Sequence, residues 1–228
     1  MDRVLEPEVM DTAEEAADYD AMDHDAVNAR FCEDLLAVRG PLPSPVLDVG
    51  TGTARIPIAL CMRAPAVTVV AIDLADHMLA LGRENVARAG LSSRVRLERI
   101  DAKAMPYADG AFGAVVSNSI VHHIPEPRAA LAEMWRVTAN GGVLFVRDLA
   151  RPPSASEVDR LVALYGGTPP DDPAERASFE RQRDLLRASF HAALTVEEVA
   201  ELVAPFGIAP SSVRMTSDRH WTLACVKP

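Results

Sequence analysis

The sequence predicts an α/β fold: a doubly wound, mostly parallel seven-stranded sheet with helices on both faces and an antiparallel strand pair at its C-terminal end. Three observations predict it. Five short apolar runs, near 46–49, 67–72, 95–100, 112–117 and 143–146, alternate with stretches of helical periodicity, which is the pattern of βαβ units. Glycine or aspartate punctuates most ends of these runs, as tight turns require. The last two runs, about 208–216 and 219–226, are separated only by a short turn at Ser217 and Asp218, so they pair as an antiparallel hairpin.

The elements follow in order. Thr12-Ala13-Glu14-Glu15 has capping-box spacing and starts a short helix. Met22, Val27, Phe31, Leu35 and Val38 recur at helical spacing, which predicts an amphipathic helix over 21–39. Pro41, Pro43 and Pro45 stop it. Val46-Leu47-Asp48-Val49-Gly50 reads as a buried strand running into a tight turn. The next helix carries Ile56 and Leu60 on one face, and its Pro57 is tolerable only near the first turn. The second strand ends at Asp73, and a helix over 75–89 is stopped by Gly90. Asp109-Gly110 turns the chain between strands three and four. A helix over 126–138 presents Leu131, Met134 and Trp135 inward, and Asn140-Gly141-Gly142 leads into strand five. After Ala150 the rhythm breaks. Residues 151–194 read as two helices around Gly166-Gly167-Thr168-Pro169-Pro170, and Thr195-Val196-Glu197-Glu198 opens a capped helix ending at Pro205. The expected organisation is one domain, 1–228. It comprises an N-terminal helical segment (1–40), a core (41–150), a helical insertion (151–194) and a closing helix with a strand pair (195–228).

Composition narrows the function. The 228 residues suit a single domain with a sizeable core. No apolar run approaches the length of about 20 residues that a membrane span needs. The acidic start lacks the cationic and apolar regions of a secretory signal, so no membrane partner and a cytoplasmic location are expected. Net charge is −10. The densest basic stretch, 176–187, alternates with Glu180 and Asp184, the pattern of a solvated helix face. Nucleic-acid binders need clustered cations, so no nucleic-acid partner is expected. Cys32, Cys61 and Cys225 are far apart in sequence and have no metal-ligand spacing. They read as free thiols, and no metal site is expected; a soft-element site between thiolates would need the cysteines brought together.

The chemistry concentrates at Gly50-Thr51-Gly52. Small residues after a buried strand let the backbone approach a ligand, the next helix offers free N–H groups, and ligands of open parallel sheets sit at the carboxyl ends of the strands. A nucleotide-like cofactor fits such a turn. Asp73 follows about 20 residues later, where an acid accepts hydrogen bonds from ribose hydroxyls. Asp101 ends the third strand, where a carboxylate can accept from the exocyclic amine of adenine. Each acid alone also fits an exposed loop. A dinucleotide site is the main chemical competitor, but its G-x-G-x-x-G fingerprint lacks the last glycine here, where Arg55 stands.

These stretches resemble the class I S-adenosylmethionine-dependent methyltransferases, most of all the small-molecule group that includes the ubiquinone and menaquinone biosynthesis enzymes. Residues 46–54 are similar to that family's first motif, an acid and then Gly-x-Gly-x-Gly, with Ala54 where the third glycine usually stands. Residues 69–74 resemble the second motif, 99–105 the adenine-side motif, 112–124 the fourth strand and its loop, and 136–145 the turn before strand five, with Asn140 where proline is common. The resemblance covers 40–150 and, in outline, 195–228. It implies a Rossmann-like fold and methyl transfer from S-adenosyl-L-methionine to a small-molecule acceptor. By the same resemblance, Asp48, Gly50, Thr51 and Gly52 would surround the methionine part of the cofactor. Asp73 and Leu74 would hold the ribose, Met78 would pack near adenine, Asp101 and Ala102 would bind the adenine edge, and Asn118 would lie beside the sulfonium. Tyr19 and Met22 belong to the segment that often closes as a lid in this family; anchors for the first helix are the equal alternative.

A methyl on a sulfonium is already electrophilic, so the protein mainly aligns nucleophile, carbon and sulfur in a dry pocket. An oxygen or nitrogen nucleophile would also want a base. His122 and His123, after strand four, are the candidates, against a plain structural role in the loop. His24, His191 and His220 would reach the pocket only under a folded-over cap. Arg147, Asp148 and Arg151 follow the expected end of strand five and are candidates for holding a substrate carboxylate, against surface ion pairing. The insertion 151–194 is expected to wall the acceptor pocket. Asn118-Ser119-Ile120-Val121 lacks the Asn/Asp-Pro-Pro-aromatic signature of amino-group methylases acting on bases or glutamine, which also points to a small-molecule acceptor. Two rival functions stand beside this one: a non-catalytic module that binds S-adenosylmethionine, and a nicotinamide-dependent oxidoreductase.

Overall fold

Short strands that are apolar almost continuously, flanked by helices, require a sheet covered on both faces, and that is how the chain folds. The computed structural model describes residues 1–9, 11–22 and 25–228, with residues 173–175 and 177 described by their backbone alone. Helices α1 (Ala13–Ala21) and α2 (Asp25–Val38) precede the alternating core. The core runs β1 (Val46–Val49), α3 (Arg55–Arg63), β2 (Val69–Asp73), α4 (Asp76–Arg88), β3 (Val95–Arg99), β4 (Phe112–Asn118), α5 (Pro127–Val137) and β5 (Thr138–Leu149). Then come α6 (Ala155–Tyr165), α7 (Pro173–Ala192), α8 (Val196–Val203), β6 (Val213–Met215) and β7 (His220–Val226).

The sheet order is β3-β2-β1-β4-β5-β7-β6. The first five strands are parallel, and β7 is antiparallel to both β5 and β6. The chain leaves β1 toward β2 and β3 on one side, and β4 and β5 lie on the other. The strand order therefore reverses beside β1, and the crevice at the carboxyl ends of β1 and β4 is the place for a ligand.

Alternation along the strands divides the core in two. Leu47, Val49, Ile72, Val115 and Leu144 pack with α5 residues Leu131 and Met134 and with Trp221. Val46, Ala71, Val116 and Phe145 pack with Phe31, Leu35 and Leu60 on the opposite face. Phe31 of α2 meets Phe145 of β5 edge to face, 5.0 Å between centroids.

Of the boundaries that differ from the expected ones, three have a clear local reason. Helix α2 starts at Asp25, because Met22 is extended and closes α1 through its N–H on the Tyr19 carbonyl. Strand β5 runs from Thr138 rather than 143, because Asn140-Gly141-Gly142 forms a bulge within it: Phe112 faces Thr138, yet Ala114 faces Val143. Gly141 takes φ +72°, and a Cβ on Gly142 would lie 2.7 Å from the Ala139 carbonyl oxygen. Residues 210–212 form a 3₁₀ turn instead of extending β6, consistent with Pro210, which cannot donate to a ladder. Among the described residues no helix is long and apolar enough to cross a membrane.

Candidate functional site

The turn after β1 is shaped by left-handed backbone. Gly50 and Gly52 have φ of +73° and +53°. A Cβ on Gly50 would stand 2.1 Å from Cγ2 of Ile120, so only glycine lets the backbone lie this close to the loop after β4. The amides of Gly50 and Thr51 both donate to the Ile72 carbonyl at 2.9 Å. The Gly52 amide donates to Asp73 Oδ2 at 2.8 Å, and the Ala75 amide to Asp73 Oδ1 at 3.0 Å. Burial raises the pKa of Asp73, partly offset by these amides. Beneath the turn, Asp48 is buried at 2% exposure. Burial, with the nearby charge of Asp73 adding to it, pushes its carboxyl up to about 7. Its Oδ2 has no hydrogen-bond partner.

Four strand ends and the N-terminal segment enclose one cavity. Gly50 and Gly52 contribute from β1; Ile72, Asp73, Leu74, Ala75 and Met78 from β2 and the start of α4. Ile100, Asp101, Ala102 and Lys103 contribute after β3; Asn118, Ser119, Ile120, His123 and Ile124 from β4 and its loop. Glu8, Val9 and Tyr19 close it from the N-terminal side. Burial opposes the charge of Asp101, but the Lys103 amide (2.8 Å) and ammonium (3.1 Å) outweigh it and hold its pKa below the ordinary value. The Lys103 ammonium also pairs with Glu8.

The structure thus brings Tyr19, Gly50, Gly52, Asp73, Leu74, Met78, Asp101, Ala102, Asn118 and His123 to one cavity. Asp48 and Thr51 lie buried in and under the glycine turn, and Met22 caps α1 outside the lining. His24 lies outside the described residues; His191 and His220 do not line the cavity.

Arg147, Asp148 and Arg151 do not line it either. Because β5 extends to Leu149, Arg147 and Asp148 point to opposite faces of the sheet. Arg147 sits on the α2 side, 5.4 Å from the Phe145 ring, donating to Thr222 Oγ1 at 3.0 Å and to Asp34 at 2.7 Å. Asp148 is fully buried and accepts from the Val121 amide at 2.6 Å. Arg151 pairs with Glu198 and donates to the Ala193 carbonyl. All three thus make contacts within the protein, and Arg147 lines a second cavity with Asp34, Arg214 and Thr222 on the α2 side of the sheet. No described residue of 151–194 lines the first cavity, the wall expected of it, whereas residues 8, 9 and 19 of the N-terminal segment do.

The sequence reading missed Glu6, Glu8, Val9 and Lys103. Arg3 ties the N-terminal segment down: its guanidinium donates to the carbonyls of Ala192 (2.6 Å), His122 (3.0 Å) and Ile124 (3.0 Å). The Val4 amide donates to the His191 carbonyl. This delivers Glu6 to the histidine pair. Its Oε1 lies 3.1 Å from His123 Nδ1 and 3.5 Å from His122 Nε2. On the other side, His122 Nδ1 meets Asp148 Oδ1 at 2.5 Å. Burial opposes charge on His122, yet Asp148 and then Glu6 raise its pKa above the ordinary value. His123, facing the cavity, is pushed down to about 4 by burial and then by the charge of His122. The cysteines are free; burial lifts Cys32 to about 12 and Cys225 to about 11, so they stand as thiols.

Comparison with known proteins agrees with this arrangement. Residues 47–146 match the family model described as "Methyltransferase domain". The chain is 39% identical over 114 residues to the demethylmenaquinone methyltransferase of Thermus thermophilus, covering 50% of this chain and 51% of that protein. It is 36% identical over 135 residues to the malonyl-[acyl-carrier protein] O-methyltransferase of Geobacter sulfurreducens, covering 56% and 47%. The chain spans about half the length of the curated relatives it matches. The crystal structure of a SAM-dependent methyltransferase from Aquifex aeolicus superposes with TM-score 0.65 over 94% of this chain and 98% of that one, at 17% identity, a likeness of fold. The Rossmann-like sheet is the fold of that methyltransferase, and residues 47–146 of the chain are similar to the methyltransferase domain family. The relatives it resembles include quinone-biosynthesis methyltransferases, among them the ubiquinone/menaquinone biosynthesis C-methyltransferase of Geobacter sulfurreducens at 31% identity over 110 residues.

Proposed function

We propose that the protein transfers a methyl group from S-adenosylmethionine to a small-molecule acceptor. One observation carries this: the glycine turn and two acids, Asp73 and Asp101, stand at the ends of three neighbouring strands around a single cavity. Two features of the chain fit the cofactor. Gly50 and Gly52 present backbone without side chains to the cavity, and Asp48 Oδ2 is a buried acceptor without a partner beneath them. When bound, the cofactor supplies an electrophilic methyl group on its sulfonium.

The residues then divide the work. Asp73 keeps lone pairs beyond the two amides it already accepts, and these suit ribose hydroxyls. Asp101, held ionised by Lys103, suits the adenine amine. Leu74, Met78 and Ala102 supply apolar contact for the adenosine, while Gly50, Thr51 and Gly52 with Asp48 below suit the methionine end. Asn118, Ser119, His123 and Ile124 form the wall at which the acceptor would be aligned; His122 acts behind His123. Tyr19 and the residues around Glu8 exclude water from the cofactor side.

The net charge of −10 supports a small molecule over a nucleic acid as acceptor. The curated relatives are named for different acceptors, a quinone and an acyl-carrier-protein-bound malonyl group, so the acceptor is to be found by screening. The test is thermal unfolding with S-adenosylmethionine, S-adenosylhomocysteine and NAD in parallel. A ligand at 100 times its Kd adds about 2.7 kcal/mol, a rise of about 5–10 °C at this size. A rise with the adenosyl compounds alone supports the proposal; a rise with NAD alone overturns it. Consumption of the cofactor in an acceptor screen then separates an enzyme from a module that only binds.

A further inference from the structure

We propose that Glu6, His122 and His123 form a binding site for one divalent transition-metal ion, set in the wall of the cavity at His123. The donor set is two imidazoles and one carboxylate, the set used for catalytic zinc and for non-haem iron. The three donor atoms lie within 4.8 Å of one another. An ion about 2.0–2.2 Å from each donor sets tetrahedral donor separations of roughly 3.3–3.5 Å. Two of the three separations are near this spacing, with Glu6 Oε1 standing 3.1 Å from His123 Nδ1 and 3.5 Å from His122 Nε2.

Three further observations separate this cluster from a chance gathering. Glu6 Oε1 and His123 Nδ1 are buried atoms without a well-formed hydrogen bond, which is the state of donors aimed at a common third body. The other oxygen of Glu6 is taken by the Ser189 hydroxyl at 3.4 Å, leaving Oε1 to the histidines. Asp148 Oδ1 lies 2.5 Å from His122 Nδ1, the carboxylate–histidine pairing that orients metal-bound imidazoles and leaves the other ring nitrogen toward the ion. Asp148 is itself fixed by the Val121 and Leu149 amides.

The ligands come from two distant parts of the chain, so the ion would pin the N-terminal segment to the loop after β4. As His123 lines the cavity, the ion would sit beside the acceptor wall, where it could polarise an acceptor oxygen. That last role rests on the methyltransferase reading; ion binding does not.

The experiment uses untagged, chelator-stripped full-length protein, titrated with Zn²⁺ by calorimetry and with Co²⁺ by visible absorption. The expected result is one equivalent bound, with ligand-field bands for Co²⁺ in a low-symmetry N/O site. Glu6→Gln and His123→Ala should each weaken binding at least tenfold. A far-ultraviolet circular dichroism spectrum and cooperative unfolding of Glu6→Gln like those of the unsubstituted protein verify folding. Substoichiometric binding, or equal affinity in a folded Glu6→Gln, overturns the proposal: the cluster is then a hydrogen-bonded ionic network with adventitious surface binding. Absence of any S-adenosylhomocysteine shift in the unsubstituted protein would overturn the cofactor reading and leave the metal isotherm standing.

Discussion

Asp73 Oδ2 accepts a 2.8 Å hydrogen bond from the Gly52 amide, so the end of β2 and the turn after β1 form one unit. A single carboxylate therefore both shapes the glycine turn and faces the cavity.

Asp73→Ala removes both roles. Affinity for S-adenosylhomocysteine should fall by about 1–3 kcal/mol, the cost of lost hydrogen bonds to a charged group. Isothermal calorimetry measures it. Unchanged affinity would remove Asp73 from the cofactor site.

Gly50→Ala places a methyl against Ile120 in a left-handed backbone. Overpacking and backbone strain together should cost about 2–4 kcal/mol in urea unfolding, and cofactor affinity should drop with it. Trimming the obstacle, as Gly50→Ala with Ile120→Ala, should restore part of the loss. A fully neutral Gly50→Ala would show that the turn tolerates a side chain.

Asp48 links stability to pH. Its folded pKa, about 7, lies above the ordinary 3.8. Its contribution is therefore fully present below about pH 4 and is lost as pH rises through 7. Asp48→Asn should gain stability relative to the unsubstituted protein across that window, on the order of 2–4 kcal/mol by pH 8. Paired denaturation curves from pH 4.5 to 8 read the difference, in which the other titrating groups largely cancel. A flat difference would mean that Asp48 is ionised without penalty.

Arg3→Ala releases the carbonyls of Ala192, His122 and Ile124. The global cost should be about 1–2 kcal/mol, since the side chain is partly solvated. The local effect should be larger: limited proteolysis within residues 1–12 should accelerate several-fold. Equal cleavage rates would mean that Val4 and Glu8 hold the segment without it.

The core was legible because its signals are local. The β1 run into Gly50, the acid ending β2 and the acid after β3 each stand at an apolar boundary, and strand ends converge whatever the loops do. The N-terminal wall was not legible, because its bonds join residues more than a hundred positions apart, as Arg3 to Ala192 does, with no periodicity to mark them. Arg147 and Asp148 looked like loop neighbours because the apolar run stops at Val146, although β5 continues to Leu149. Inside a strand, adjacent side chains part to opposite faces, which sent one to Asp34 and the other to His122. His122 and His123 were read as a pair, yet the 3₁₀ turn at Val121–His123 buries one and turns the other to the cavity.

The sheet order leaves β3 and β6 as its outer strands. Strand β3 carries Arg96, Glu98 and Arg99, with Arg96 and Glu98 paired at 2.9 Å, and β6 is only three residues long with Arg214 at its centre. Another chain docking alongside would have to strip water from these charges or find too few partners for its amides. The open sides of the sheet are thereby poor templates for strand addition, which guards a fold rich in apolar β-runs against fibrous self-association.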